Sequence, residues 1–168
     1  MRQFCNLAKQ YETPCKSIDT SIFKRMAIAG TSKDKTRISL NTSYFVTNPS
    51  SDRTAEQKII ETVEDSRRTR YHAQVRAGEE VAYTLSHEFG HTLSNAEFMG
   101  EIEELWQEYS KRYPQQTVAE DPDFISTYAS DSKEEFVAEA FASVMHCDNP
   151  SPIAKEIVKK IDQYARRK

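Results

Sequence analysis

His87-Glu88-Phe89-Gly90-His91 sets two imidazoles four residues apart, with a carboxylate directly after the first. On an α-helix that spacing brings the two side chains within ~40° of each other on adjacent turns, with Glu88 toward the same side. Two neutral imidazole nitrogens suit zinc, which takes nitrogen at ~2.0–2.1 Å and, in catalytic sites, three protein ligands plus an open position. A zinc ion lowers the pKa of a water it holds to ~7. Glu88 could accept that proton and pass it to a leaving amine. HExxH fixes only three residues, so its placement carries more weight than the pattern.

A third ligand must come from elsewhere. The metzincin continuation HExxHxxGxxH fails, because Ser94 stands at the glycine position and Glu97 at the last histidine. His72 and His146 lie in no ligand motif and read as ordinary surface or core histidines. The stronger candidates are Glu135 and Glu139, in Glu134-Glu135-Phe136-Val137-Ala138-Glu139-Ala140-Phe141. They are four apart on one helical face, while Phe136, Val137, Ala140 and Val144 lie elsewhere on the wheel. Such a helix can offer Glu135 to the metal and Glu139 to a ligand histidine, whose tautomer that bond would fix. Alone, the pair would read as a solvated acidic edge.

These residues need elements to carry them. Val81, Leu85, Phe89 and Leu93 form an i, i+4 stripe, which predicts a helix from Gly78 onward with the histidines off the apolar face. Ser132-Lys133-Glu134-Glu135 matches a capping box opening the second carboxylate helix. Further helices are expected in part of residues 53–77 (with Ile59, Ile60 and Val63), over Ala96–Tyr113 before Pro114, and over Ile153–Ala165. A short helix is expected over Ile18–Ala29, a turn over Gly30–Lys35, and loop over Gln115–Tyr128. Ile38, Leu40, Thr42, Tyr44 and Val46 alternate with Arg37, Ser39, Asn41 and Ser43, a half-buried strand that Asn48-Pro49-Ser50-Ser51-Asp52 would end. The class is α+β: a small sheet region followed by a mainly helical part, in one domain over residues 1–168.

Taken together, HEFGH, the segment Ile125-Ser126-Thr127-Tyr128-Ala129 and the Glu135–Phe141 helix resemble the catalytic domain of the anthrax-lethal-factor type of gluzincin. Related domains occur in phage and mobile-element proteins, and Leu40-Asn41-Thr42-Ser43-Tyr44-Phe45 is similar to a strand of theirs. The likeness runs from about Gly78 to Met145 and is weak before it. It implies a zincin-like fold and a zinc metallopeptidase, with His87, His91 and Glu135 as ligands, Glu88 as base and Glu139 behind a ligand histidine. It also implies that Tyr128 stands beside the zinc, where its phenol would serve the tetrahedral oxyanion or the leaving amine. The substrate would be a peptide or protein, with the Arg37–Val46 strand offering an edge for strand addition. The chain is too short for lethal factor's cell-entry and substrate-selection domains, so no host target transfers. A second reading keeps zinc only to tie two helices together in a phage or mobile-element assembly, and an intact Glu88 speaks against it.

Bulk properties narrow the classes. The chain has 38% hydrophobic and 29% charged residues and a net charge of -3, which gives no reason to expect nucleic acid. The basic clusters Arg67–Arg70 and Arg166–Lys168 are short and flanked by acids, so they read as solvated surface. No apolar run reaches the ~18 residues of a membrane span, and Met1–Cys5 opens no signal peptide. A soluble protein is expected, acting where it is made or cut from a longer chain with flanking domains. Three cysteines without a CxxC argue against a disulfide scaffold or a cysteine zinc site, leaving a Cys5–Cys15 bridge open.

Overall fold

Asn41 shows how side-chain chemistry sets the boundaries at the start of the chain. Its Oδ1 accepts from Ser43 N at 3.1 Å, and its Nδ2 donates to Ala27 O at 2.7 Å. The first bond is an Asx-type cap that turns the backbone out of extended conformation. The strand therefore ends at Asn41, and Thr42–Phe45 forms a short helix in place of the expected strand continuation. Val46 and the Asn48–Asp52 stop lie outside the described residues. The structure is a computed structural model, which describes residues 2–23, 27–45, 54–115 and 119–167.

Among these residues the elements run α1 (Arg2–Gln10), β1 (Ser17–Ser21), β2 (Ala29–Thr31), β3 (Arg37–Asn41), α2 (Thr42–Phe45), α3 (Ala55–Arg68), α4 (Glu80–Leu93), α5 (Ala96–Glu101), α6 (Glu103–Arg112), a 3-10 turn (Tyr128–Ser130), α7 (Lys133–His146) and α8 (Pro152–Ala165). The class is α+β, a small sheet and mostly helices. The sheet order is β1-β3-β2, with β1 parallel and β2 antiparallel to β3.

Two expectations for this region need correction. The described residues of the Ile18–Ala29 stretch form no helix: β1 occupies its start, with Ile18 opposite Ile38 and Thr20 opposite Leu40. Ser17-Ile18-Asp19-Thr20-Ser21 contains no strong helix former, and pairing to β3 decides its state. Strand β3 is also not an edge. It lies between β1 and β2, so both its edges are paired and it cannot take up a substrate strand. The free edge beside the helices belongs to β2, which the sequence reading placed partly in a turn. That turn follows β2, with Asp34 accepting from Ser32 Oγ at 2.6 Å and Thr36 Oγ1 at 2.9 Å, and Lys35 at φ 60°.

The helices match more closely. Helix α3 buries Ile59 and Val63. Helix α7 starts at Ser132, whose Oγ accepts from Glu135 N at 3.1 Å. This is half of a capping box, since the Glu135 carboxylate turns to the histidines instead. Ser151 caps α8 in the same way, accepting from Ala154 N at 3.2 Å. The expected Ala96–Tyr113 helix is two helices, α5 and α6, broken at Ile102 (φ -107°, ψ 5°), which is fully buried. Gly100, a weak helix former, precedes the break.

Helix α4 packs chiefly on α7. Val81 and Leu85 of its expected apolar stripe are only half-buried, while Phe89 and Leu93 are buried. The two helices come closest at Gly90. A Cβ on Gly90 would lie 2.7 Å from the Ala138 Cα, so glycine within HEFGH is required by the close approach of the helices. The main core gathers Phe89, Phe98, Ile102, Phe136, Phe141 and Ile157 around α7, and a smaller one joins Ile59, Val63, Tyr83 and Ala142 under α3.

Among the described residues no helix is long and apolar enough to cross a membrane. Cys15 and Cys147 are free thiols. The Cys5 side chain lies outside the described ones. Arg70 is not simply solvated: its guanidinium donates to Ala119 O and lies 4.9 Å over the Phe124 ring.

Gly90→Ala is expected to cost about 1–3 kcal/mol by overpacking, whereas Gly100→Ala, whose Cβ meets nothing within 4 Å, should be neutral or stabilising. Urea unfolding of both variants checks the contrast.

Candidate metal centre

His87 and His91 leave α4 one turn apart, and Glu135 comes from the first turn of α7. Their three donor atoms converge. His87 Nε2 lies 3.2 Å from His91 Nε2, and Glu135 Oε2 lies 3.1 Å from the first and 3.4 Å from the second. A tetrahedral ion with ligands at ~2.0–2.1 Å would separate them by about 3.3–3.4 Å. The triangle is therefore close to the size such an ion demands.

Two further observations support the fit. Glu135 Oε2 is buried yet aligned with no hydrogen-bond donor, while its partner Oε1 accepts from Tyr128 OH at 2.9 Å. The charge balance also asks for a cation. Burial disfavours the charged form of His87, but the Glu135 and Glu139 carboxylates outweigh it and raise the imidazole to about 10. Burial pushes Glu135 up, and His87 and His91 outweigh that in turn, pulling it down to about 2. A proton meets this demand in the metal-free protein, and a divalent cation would meet it in its place.

Glu139 stands behind the triangle, fully buried. Its Oε1 accepts from His87 Nδ1 at 2.9 Å, His72 Nδ1 at 3.0 Å and Tyr83 OH at 2.8 Å. Its Oε2 accepts from Ala73 N at 3.2 Å. Burial opposes its charge, but His72 and His87 prevail and hold it well below the usual carboxylate range. Because ionised Glu139 only accepts, Nδ1 of His87 keeps a proton in both states of the ring, and Nε2, which is free to bind a metal once the ring is neutral, turns toward His91 and Glu135.

Glu88 is also buried and lines the same cavity, of about 440 Å³, between β2, α4 and the start of α7. Thr31 of β2 fixes it: the hydroxyl lies 2.8 Å from Glu88 Oε2 and 2.9 Å from the Glu88 carbonyl oxygen. Tyr128 stacks on His87 at 5.7 Å between centroids and on Tyr71 at 5.1 Å. Its backbone N donates to Tyr71 O at 2.9 Å, and Thr127 N to Arg70 O at 3.0 Å. Burial, then the charge of Glu135, raises its phenol above the ordinary value, so it remains a donor.

All six residues singled out from the sequence (His87, Glu88, His91, Tyr128, Glu135 and Glu139) thus meet in one place. Ser94 and Glu97 do not join them; Glu97 accepts from Tyr164 OH at 2.7 Å. Sequence reasoning missed Thr31, Tyr83 and His72. Tyr83 had a signal, since it precedes His87 by one turn on the same face. Thr31 had none, because only the packing of β2 on α4 brings it there. His146 belongs to a separate relay, with Ser86 Oγ 2.8 Å from its Nε2 and Glu79 Oε2 2.7 Å from its Nδ1. That order resembles a hydrolytic triad, but Ser86 is 3% exposed, so it cannot meet a substrate.

No protein-family model, curated protein or solved structure matches the chain. The functional reading rests on this site.

Glu139→Gln is expected to weaken zinc binding by about 10–100-fold, the usual effect of losing a carboxylate behind a ligand histidine. Competition with a chromophoric chelator measures it, with circular dichroism to establish that the variant is folded. Unchanged affinity would mean that Glu139 serves only packing.

Proposed function

We propose that this chain is a zinc-dependent endopeptidase of the gluzincin type, with a zincin-like fold and a lethal-factor-like site. The observation that carries the reading is the convergence of His87, His91 and Glu135 beside a base, Glu88, that a hydroxyl holds in the same cavity. His87, His91 and Glu135 would hold the ion. Bound there, zinc supplies Lewis acidity toward a substrate carbonyl and toward a water.

The chain's own residues account for the remaining work. Glu88 takes the proton of the attacking water at its carboxylate, which Thr31 orients. It then delivers that proton to the amide nitrogen as the carbon–nitrogen bond breaks, leaving a carboxylate and an amine. Tyr128, whose phenol keeps its proton, turns from Glu135 to donate to the carbonyl oxygen as charge builds there. Glu139 holds His87 through Nδ1 throughout.

Strand β2 would align the peptide. Ile28 O and Ser32 N bond to β3, accepting from Asn41 N and donating to Arg37 O, both at 2.9 Å. By strand alternation the backbone groups of Ala29 and Thr31 face the opposite edge, toward the cavity. An extended peptide can add there.

The alternative of a purely structural zinc fits less well. Structural zinc sites are closed by four protein ligands. Here three donors cluster among the described residues, and the cavity opens beside them.

Glu88→Gln should lower peptide cleavage by about 10²–10⁴-fold while zinc affinity stays the same. Mass spectrometry of a mixed peptide library, with a parallel zinc titration, reads both. Cleavage that persists in the variant contradicts the mechanism.

A further inference from the structure

His72 is the one histidine that neither binds in the triangle nor lies in the core relay. Its Nδ1 is committed to Glu139 at 3.0 Å, and its side chain is 25% exposed. No partner for Nε2 is found among the described residues. Since Glu139 only accepts, the proton of a neutral His72 sits on Nδ1, and Nε2 offers a bare lone pair. The ring lies nearly perpendicular to the stacked pair Tyr128 and Tyr71, at 5.0 Å between centroids from each, and that pair sets its orientation.

His72 lines a second cavity, of about 300 Å³, between β2, α3 and α4. Ala27, Ile28 and Val63 give it an apolar base, and Tyr71 and Tyr83 give it aromatic walls. This cavity and the one at the metal centre share Ala29, His87, Glu88 and Tyr128. A peptide lying along β2 with its reacting carbonyl at that junction would place one neighbouring side chain in the second cavity.

We propose that this cavity is a specificity pocket for a tyrosine side chain next to the bond to be cut, read by Nε2 of His72; this rests on the peptidase reading above. The volume and walls suit an aromatic ring, which gains from offset and edge contacts with other rings. A phenol answers His72 in either state of the imidazole, because it both donates and accepts. Phenylalanine fills the same space and leaves Nε2 unmet. One hydrogen bond in a partly exposed pocket is expected to favour tyrosine by about three- to tenfold.

The test begins with selection of a displayed random peptide library on the zinc-loaded Glu88→Gln protein, which binds without turning over. Enrichment of tyrosine at one position is expected, and the tyrosine and phenylalanine twins of a selected peptide should then differ about three- to tenfold in affinity by calorimetry. His72→Asn supplies the decisive comparison. Asparagine keeps a donor for Glu139 at the place of Nδ1 and has no atom at Nε2. In the Glu88→Gln background it should bring the two twins to equal affinity, the loss falling on the tyrosine twin. Selected peptides without tyrosine, or an unchanged preference in the His72→Asn protein, overturn the inference. Wild-type protein that cuts no peptide, including the selected ones, overturns the peptidase reading instead, so the two failures are separable.

Discussion

A carboxylate with no access to water stays ionised only if donors and positive charge surround it, since an unpaired buried charge is strongly destabilising. Glu139 sets that condition at the centre of this protein. Four donors from two places meet it: His87 and Tyr83 from α4, and His72 and the Ala73 backbone from the segment before it. Removing any one leaves charge less well compensated where no solvent can help. The interaction therefore fixes the rotation of α4 against α7 and docks the segment around residues 70–73 on both. The small residues Gly90 and Ala138 allow the helices to come close enough for these bonds to form.

The triangle of candidate ligands follows from the same contact. Glu135 is one turn from Glu139 on α7, and His91 one turn from His87 on α4. Once Glu139 holds His87 by Nδ1, the four side chains are in register, and Nε2 of each histidine meets Glu135 Oε2 within 3.4 Å. The docked segment adds a further consequence. Tyr71 O takes the Tyr128 backbone N–H, which places the phenol against Glu135. The convergence of His87, His91 and Glu135, the Tyr128 phenol and the pocket beside His72 thus share one buried anchor.

Much of the site was legible because helical spacing is local information. Four-residue intervals placed His87 with His91 and Glu135 with Glu139 before any tertiary contact was known. Thr31 and His72 were not legible in that way, since each reaches the site through packing between elements distant in the chain. The sheet was read least well. Alternation found β3, but it could not show which neighbours β3 would have, and so misjudged which strand presents an edge. It also overran the strand, because Thr42, Tyr44 and Val46 continue the apolar alternation while the Asn41 side chain ends it. In the Ile18–Ala29 stretch, pairing with β3 rather than local preference determined the outcome.

The central claim is that two imidazoles and a carboxylate of this chain form one zinc site. X-ray absorption at the zinc edge, on protein titrated with the metal, addresses it directly. One ion per chain is expected, with nitrogen and oxygen neighbours at about 2.0–2.1 Å and the outer-shell scattering of two imidazoles. Binding well below one ion per chain, a single imidazole, or sulfur at about 2.3 Å would contradict the account.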